Sequence, residues 1–165
     1  MTLEIERRFL VKNDNWKKFI TKKIFIEQGY LSKSLDDWII RIRFSGKHTK
    51  IALKKHIKGF TNFEFEYSIP RSDAEKIMSN LSSTIKKERF FLEVEKKSWI
   101  IDCFKENNYP LEIAEIELSD EKGDLLLPSF ISKEITGLTL YSNFSLANNP
   151  FSEWEEDYLT TFKCN

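Results

Sequence analysis

Cysteine, histidine, glycine and proline are all scarce in this chain of 165 residues. Its two cysteines, Cys103 and Cys164, are too few for a disulfide framework or a structural zinc site. His48 and His56 lack the spacing of metal ligands, and the chain has no glycine-rich phosphate loop of the P-loop type. These absences exclude several small-domain classes and favour a reducing, cytoplasmic environment.

Net charge and long apolar runs are lacking as well. The chain carries 26 basic and 26 acidic residues, so its formal net charge is zero, which argues against a strongly basic nucleic-acid-binding protein. The apolar stretch at 38–40 ends at Arg41, and the first residues lack the pattern of a signal peptide. We therefore expect a cytoplasmic protein, a monomer or homodimer, with neither nucleic acid nor a membrane as its partner.

What the chain does contain is typical of a β-rich protein with one domain. Hydrophobic residues make up 41% and charged residues 32% of the sequence, and 14 residues are phenylalanine. The length predicts a single domain over residues 1–165, with a core at about 3–147. Aromatic residues at helical spacing after Pro150 predict a C-terminal helix at about 150–162.

Eight stretches alternate between polar and apolar residues in the way that half-buried strands do. They lie at 3–11, 24–31, 38–44, 49–55, 62–69, 85–94, 97–104 and 111–118. Short connections between them favour antiparallel pairing. Few helices are predicted: one capped by Ser72 with Glu75 three residues later, a short one after Asn13 or Asp14, and one from Pro128 toward Ile135.

Charged side chains recur at alternate positions within several strands, so that each set shares one face of its strand. The sets are Glu4, Glu6 and Arg8; Arg41 and Arg43; Lys54; Glu64 and Glu66; Lys87 and Arg89; and Glu115 and Glu117. The alternation of side chains along each strand is compatible with two architectures. The charges can lie on the wet side of a sheet, or they can line a barrel whose apolar faces point outward to covering helices.

The separation of acidic from basic residues favours the second architecture. Like charges side by side repel each other, so a surface built for solubility tends to mix the two signs. A site for a metal–polyphosphate complex needs carboxylates for a divalent cation and basic groups for phosphate oxygens.

The same residues resemble those of the CYTH proteins, the triphosphate tunnel metalloenzymes. Residues 4–11, with Glu4, Glu6 and Arg8, are similar to the ExExK strand that opens these proteins, and residues 28–31 are similar to the QGYL segment of small bacterial members. The strand motifs named above, Asp102 and the Tyr141-Ser142-Asn143 element follow in the order of the family. The likeness extends over about residues 3–147 and most resembles the inorganic triphosphatases.

The resemblance implies an α+β fold: an eight-stranded antiparallel β-barrel that forms a tunnel, with a few flanking helices. It implies metal-dependent hydrolysis of triphosphate, with Mg²⁺ or Mn²⁺ as the cofactor. Its implied metal ligands are Glu4, Glu6, Glu64, Glu66, Asp102, Glu115 and Glu117. Its implied triphosphate ligands are Arg8, Arg41, Arg43, Lys54, Lys87 and Arg89. Arg8 and Tyr30 are the implied catalytic residues, although Tyr30 reads equally well as a core aromatic.

The chain departs from the family pattern at two positions. Arg8 stands where the family has lysine, and Leu140 stands where a basic residue usually precedes the Tyr-Ser-Asn element. These changes keep open a non-catalytic polyphosphate- or nucleotide-binding module as the alternative to an enzyme. Among enzymes, an adenylyl cyclase and a thiamine or nucleoside triphosphatase are the competing interpretations.

Overall fold

Nine strands form one antiparallel sheet in the computed structural model, which describes residues 5–34, 37–58, 61–118 and 125–155. The strands are β1 (Ile5–Val11), β2 (Ile20–Tyr30), β3 (Ile39–Ser45), β4 (His48–Lys58), β5 (Thr61–Ser68), β6 (Thr84–Val94), β7 (Lys97–Phe104), β8 (Glu112–Leu118) and β9 (Ile131–Glu134). Their order across the sheet is β5-β4-β3-β2-β6-β7-β8-β1-β9.

The predicted antiparallel sheet is therefore confirmed, with nine strands in place of eight. Each of the eight predicted stretches contains most of one observed strand. Within the described residues no backbone ladder joins the outer strands β5 and β9, so closure into a complete barrel stays a prediction.

The sheet curls strongly toward the face that carries the charged side chains, which we call the inner face. Lys54 on β4 lowers the pKa of Glu6 on β1 through its charge, although five strands lie between β4 and β1. In a flat sheet six strand spacings of about 4.8 Å would separate the two strands by roughly 29 Å, too far for such an effect. Curling thus brings the two halves of the inner face toward each other.

Helical segments are short. They are α1 (Arg71–Met78), α2 (Asn143–Asn148) and single 3₁₀ turns at Asp14–Phe19, Glu106–Asn108, Thr139–Tyr141 and Phe151–Glu153. The predicted helix at about 150–162 stays a prediction, since residues 156–165 lie outside the described part of the chain. Among the described residues no helix is both long and apolar enough to cross a membrane.

Two local predictions about helices are wrong, and each has a physical reason. α1 begins at Arg71, because the carbonyl of Pro70 accepts the first bonds, from the backbone N–H groups of Asp73 and Ala74. Ser72 therefore lies inside the helix and is not its cap. The segment after Pro128 forms strand β9 because it pairs with β1, a long-range contact that local sequence does not reveal.

The apolar core is divided between the two faces of the sheet. An outer cluster packs the 3₁₀ turn at Asp14–Phe19, through Trp16, against the outer face of β1, β6, β7 and β8, with Trp99 and Phe130 at its centre. A second cluster, which we call the end cluster, lies on the inner face beyond the charged residues. Its members include Leu10, Tyr30, Ile85, Phe104, Ile113, Phe144 and Leu146. The inner face is therefore apolar at one end and charged along the rest.

Gly29 offers a direct test of how α1 is held against the sheet. A Cβ atom at this position would lie 2.6 Å from Met78 Sδ and 2.7 Å from Leu81 Cδ1. We expect Gly29→Ala to destabilise the protein by about 1–3 kcal/mol, because the added methyl overfills this contact. Urea unfolding followed by circular dichroism measures the change.

The double variant Gly29→Ala/Met78→Ala is the matched control, since it shortens the nearest side chain. Gly29→Ala should cost less stability in the Met78→Ala background than it costs in the parent protein. Equal losses in both backgrounds would show that Met78 does not limit the space beside Gly29.

Candidate functional site

Most of the predicted site residues meet on the inner face of the curled sheet. Strand alternation places them there, since each charged set occupies alternate positions of its strand. Two predicted metal ligands stand apart: Glu4 lies outside the described residues, and Glu117, opposite Glu6 on the same face, is exposed near the end of β8. The remaining charged residues form two networks of ion pairs, one on each half of the sheet.

The first network joins the basic strands β3 and β4 to the acidic strand β5. Arg41 Nη2 lies 3.1 Å from Glu64 Oε1, and Arg43 Nη2 lies 2.6 Å from Glu66 Oε2. Lys54 Nζ lies 3.5 Å from Glu64 Oε2. Glu64 and Glu66 are thus counter-ions of the basic side chains.

Lys50 is a member of the first network that sequence analysis missed. Its ammonium group contacts Glu66, which also holds Arg43. The prediction began this strand at residue 49 and treated Lys54 as its basic residue, but Lys50 lies on the same face because the two are four residues apart. Applying the same alternation of side chains to residue 50, near the start of the predicted strand, places Lys50 on the charged face.

The second network is centred on Asp102 of β7, whose side chain is fully buried. Arg89 donates from Nε to Asp102 Oδ1 and from Nη2 to Asp102 Oδ2, both at 2.7 Å. Lys87, 1% exposed, donates to the same Oδ2. Burial alone would raise the pKa of Asp102, but the charges of Lys87 and Arg89 outweigh burial and hold this pKa well below its usual range.

Arg8 lies between two carboxylates of the second network. Its Nε is 3.3 Å from Glu6 Oε1 and 3.3 Å from Glu115 Oε1, and its Nη2 donates to the backbone carbonyl of Tyr141 at 3.1 Å. Glu115 also accepts from Arg89 Nη2 at 2.8 Å. The guanidinium of Arg8 is therefore held on three sides.

Glu6 and Glu115 are close enough to influence each other. Burial, followed by the charge of Glu115, raises the pKa of Glu6 to about 7. A divalent cation between these carboxylates would relieve their repulsion. Among the residues that the structure describes, no group of three or more acidic, histidine or cysteine side chains is arranged to hold a metal.

Tyr30 lies where the charged part of the inner face meets the end cluster. Its ring packs edge-on against Phe144 at 5.4 Å, and its hydroxyl oxygen accepts a hydrogen bond from Gln28 Nε2 at 2.6 Å. Burial raises the pKa of Tyr30 to about 12. The hydroxyl thus keeps its proton at neutral pH and can donate it in a hydrogen bond, but it cannot act as a base.

Two residues of the Tyr-Ser-Asn element reach the charged side chains from outside the sheet. The carbonyl of Tyr141 holds Arg8, and Asn143 Oδ1, at the start of α2, accepts from Lys87 Nζ at 3.0 Å. Leu140 packs against the end cluster, so this position contributes apolar contact in place of a basic group. The Tyr-Ser-Asn element is recognisable in the sequence, but the sequence does not indicate this role of Asn143.

Comparisons with known proteins agree with this arrangement. No protein-family model matches the chain. The inorganic triphosphatase of Acetivibrio thermocellus is 34% identical over 158 residues, which cover 94% of this chain and 100% of the relative. A crystal structure of an inorganic triphosphatase superposes with a TM-score of 0.70 at 25% identity and covers 89% of this chain and 95% of its own.

A more distant structure shares the fold alone. A Hippeastrum protein, described as an adenylyl cyclase with a dominant triphosphatase activity, has a TM-score of 0.53 at 13% identity, and the match covers 73% of this chain and 80% of that one. The resemblance read from the sequence is confirmed by the Acetivibrio relative, which matches nearly the whole chain. The chain belongs to the inorganic triphosphatase family, whose enzymes hydrolyse phosphoanhydride bonds.

Proposed function

We propose that this protein hydrolyses inorganic triphosphate with Mg²⁺ or Mn²⁺ as its cofactor. The observation that supports this best is the pairing of carboxylates and basic groups on the inner face. Three of the six basic candidates, Arg8, Lys54 and Arg89, lie near enough to Glu6 to lower its pKa through their charges. The other three, Arg41, Arg43 and Lys87, lie on the same inner face. A triphosphate is a short, highly charged chain that can engage basic groups from both networks at once.

Substrate binding on this face requires an exchange of ion pairs. Glu64 and Glu66 pair with Arg41, Arg43 and Lys54 and neutralise them. Phosphate oxygens would replace these carboxylates as partners of the guanidinium groups, which bind phosphate in a bidentate fashion. The carboxylates also keep the basic face neutral before substrate arrives, which limits repulsion among its cations.

The carboxylates of β1 and β8 are the residues that would hold the cofactor. Glu6 and Glu115 lie together on the inner face, and Glu4 and Glu117 continue the same alternation. A divalent cation there supplies charge neutralisation and a more acidic water for in-line attack on the terminal phosphorus. Arg8 fixes the position of both carboxylates and offers its charge to the phosphate, and Tyr30 can donate a hydrogen bond from its protonated hydroxyl.

The function is tested by phosphate release from a panel of substrates with Mg²⁺ and with Mn²⁺. The panel contains inorganic triphosphate, pyrophosphate, ATP and thiamine triphosphate. We expect triphosphate to be hydrolysed with the highest kcat/KM and to require the metal. Faster turnover of ATP or thiamine triphosphate would move the assignment to another triphosphatase, and binding of triphosphate without turnover would favour the non-catalytic module.

Glu6→Gln should nearly abolish metal-dependent turnover and leave the fold intact. The change keeps the side-chain volume but removes one anionic ligand and the repulsion with Glu115. Steady-state kinetics against metal concentration measures the loss. Glu88→Gln is the matched control, since Glu88 lies on the other face of β6 and pairs with Lys23 and Lys105. A few-fold effect in both variants would contradict a metal site on β1.

The raised pKa of Glu6 also predicts how stability depends on pH in the absence of metal. Between the ordinary glutamate pKa of 4.5 and a pKa of about 7, the folded protein holds a proton on Glu6 that the unfolded chain has lost. The free energy of unfolding contributed by this group therefore falls as pH rises through that window. Thermal unfolding at several pH values should show this fall in the parent and a smaller one in Glu6→Gln. Identical pH profiles would mean that Glu6 titrates normally.

Arg8→Lys should raise kcat at alkaline pH and leave triphosphate binding similar or weaker. A lysine beside other cations can lose its proton and assist an attacking water, whereas arginine cannot. Lysine also loses the fork that joins Tyr141 and Glu115 in the parent. Measuring kcat and KM against pH tests this, with Arg7→Lys as a control on the opposite face, where Arg7 pairs with Glu134. Lower turnover at every pH would show that Arg8 itself is adapted to the reaction.

A further inference from the structure

Asp102 is the least exposed of the acidic residues that the structure describes on the inner face, and both of its oxygens are held by cations. Its side chain is fully buried, Oδ1 accepts from Arg89 Nε, and Oδ2 accepts from both Arg89 Nη2 and Lys87 Nζ. A metal ion at either oxygen would lie next to two full positive charges. Arg89 and Lys87 therefore already neutralise this carboxylate, and they would repel a metal ion placed beside it.

Glu6 provides the contrast within the same face. Its side chain is 39% exposed, and Arg8 Nε approaches its Oε1 to 3.3 Å. Asp102, in contrast, is fully buried and accepts three hydrogen bonds from Arg89 and Lys87. Of the two carboxylates, Glu6 is therefore the one that a divalent cation can reach.

The bidentate contact also fixes the direction in which Arg89 points. Nε and Nη2 face Asp102, and Nη2 reaches Glu115 as well. Among the described residues these contacts leave Nη1 as the part of the fork that is available to a phosphate oxygen. Because Nε and Nη2 are already held, Nη1 can bind a phosphate oxygen without further loss of side-chain entropy.

Lys87 is held in the same way from two sides. Its ammonium group donates to Asp102 and, at 3.0 Å, to Asn143 Oδ1 at the start of α2, and it lies over the ring of Phe104. Because the three N–H groups of an ammonium are tetrahedral, two fixed donors determine the direction of the third. Asp102 and Asn143 together set that direction.

From these contacts we propose that Asp102 is a positioning residue and not a metal ligand. It holds Arg89 and Lys87 in the orientation that triphosphate requires, with Asn143 as the second support of Lys87. This inference rests on the proposed function for its substrate. The proposal leaves the carboxylates of β1, β5 and β8 as the candidate metal ligands and removes Asp102 of β7 from that set.

The test compares Asp102→Asn with Glu6→Gln in two measurements. The first is binding of Mn²⁺ alone, followed by electron paramagnetic resonance of the free ion. We expect the dissociation constant for Mn²⁺ to stay within twofold of the parent in Asp102→Asn and to rise at least tenfold in Glu6→Gln. A tenfold rise in Asp102→Asn would overturn the proposal.

The second measurement is steady-state hydrolysis of inorganic triphosphate at increasing Mn²⁺. In Asp102→Asn we expect kcat to fall at least tenfold, with a smaller change in KM, because the added net positive charge compensates for the looser arginine. Excess Mn²⁺ should not restore kcat. Recovery at high Mn²⁺ would identify a metal ligand, and an unchanged kcat would show that positioning is unnecessary; either result overturns the proposal.

Asp102→Asn leaves two buried cations short of a partner, so folding is checked first by circular dichroism and thermal unfolding. If this variant does not fold, Asn143→Ala decides, since it removes only the second support of Lys87. A several-fold loss of kcat with unchanged Mn²⁺ affinity would support the proposal, and an unchanged kcat would overturn it. Failure of the proposed function can be told apart from failure of this proposal. In the first case the parent protein does not hydrolyse triphosphate, and Mn²⁺ binding by the variants still tests the role of Asp102.

Discussion

Neutralisation of charge on the curled inner face is the constraint on which the rest of this structure depends. Lys87 and Asp102 are both withdrawn from water, and an unpaired charge in that position would cost several kcal/mol. The fold can bury them because each is the other's partner and because Arg89 adds a second cation to Asp102. A curled sheet with apolar residues outside is the arrangement in which such a charged face is shielded and still reachable by a phosphate chain.

Strand order converts a separation of charges along the sequence into neutralisation across the sheet. Basic residues share β4 and acidic residues share β5, and the register places Lys54 opposite Glu64. On the other half, Arg89 of β6 lies opposite Asp102 of β7. The pattern that first suggested a metal–polyphosphate site therefore also supplies the counter-ions of its basic side chains. Cross-strand pairs of opposite charge are favourable contacts in any antiparallel sheet, so folding and binding select the same pattern.

Much of the sheet could be predicted from the sequence because alternation is a local property. The charged positions of β1, β3, β5 and β6 follow directly from parity, and the structure brings Arg8, Arg41, Glu64 and Arg89 to one face as expected. Contacts that depend on distant parts of the chain were out of reach. Strand β9 exists through its pairing with β1, and the bond from Arg8 to the carbonyl of Tyr141 joins residues 133 positions apart.

Side-chain roles were harder to predict than side-chain positions. The resemblance to the family singled out Asp102, but whether this carboxylate is a metal ligand or a counter-ion depends on how many cations reach it, which sequence spacing does not show. Tyr30 is a similar case. Its ring belongs to the end cluster, as the interpretation as a core aromatic predicts, and its hydroxyl meets Gln28, while a catalytic role of this hydroxyl stays a prediction.

The end cluster explains how the two departures from the family pattern fit together. Leu140 and Phe144 pack into this cluster, and their packing fixes the backbone between them. That backbone presents the carbonyl of Tyr141 to Arg8 and the side chain of Asn143 to Lys87. A guanidinium can donate to this carbonyl from one nitrogen and to Glu115 from another, which a single ammonium group reaches less easily. An apolar residue at 140 and an arginine at 8 are thus compatible parts of one support, in which apolar packing beyond the charged face orients the cations that lie on it.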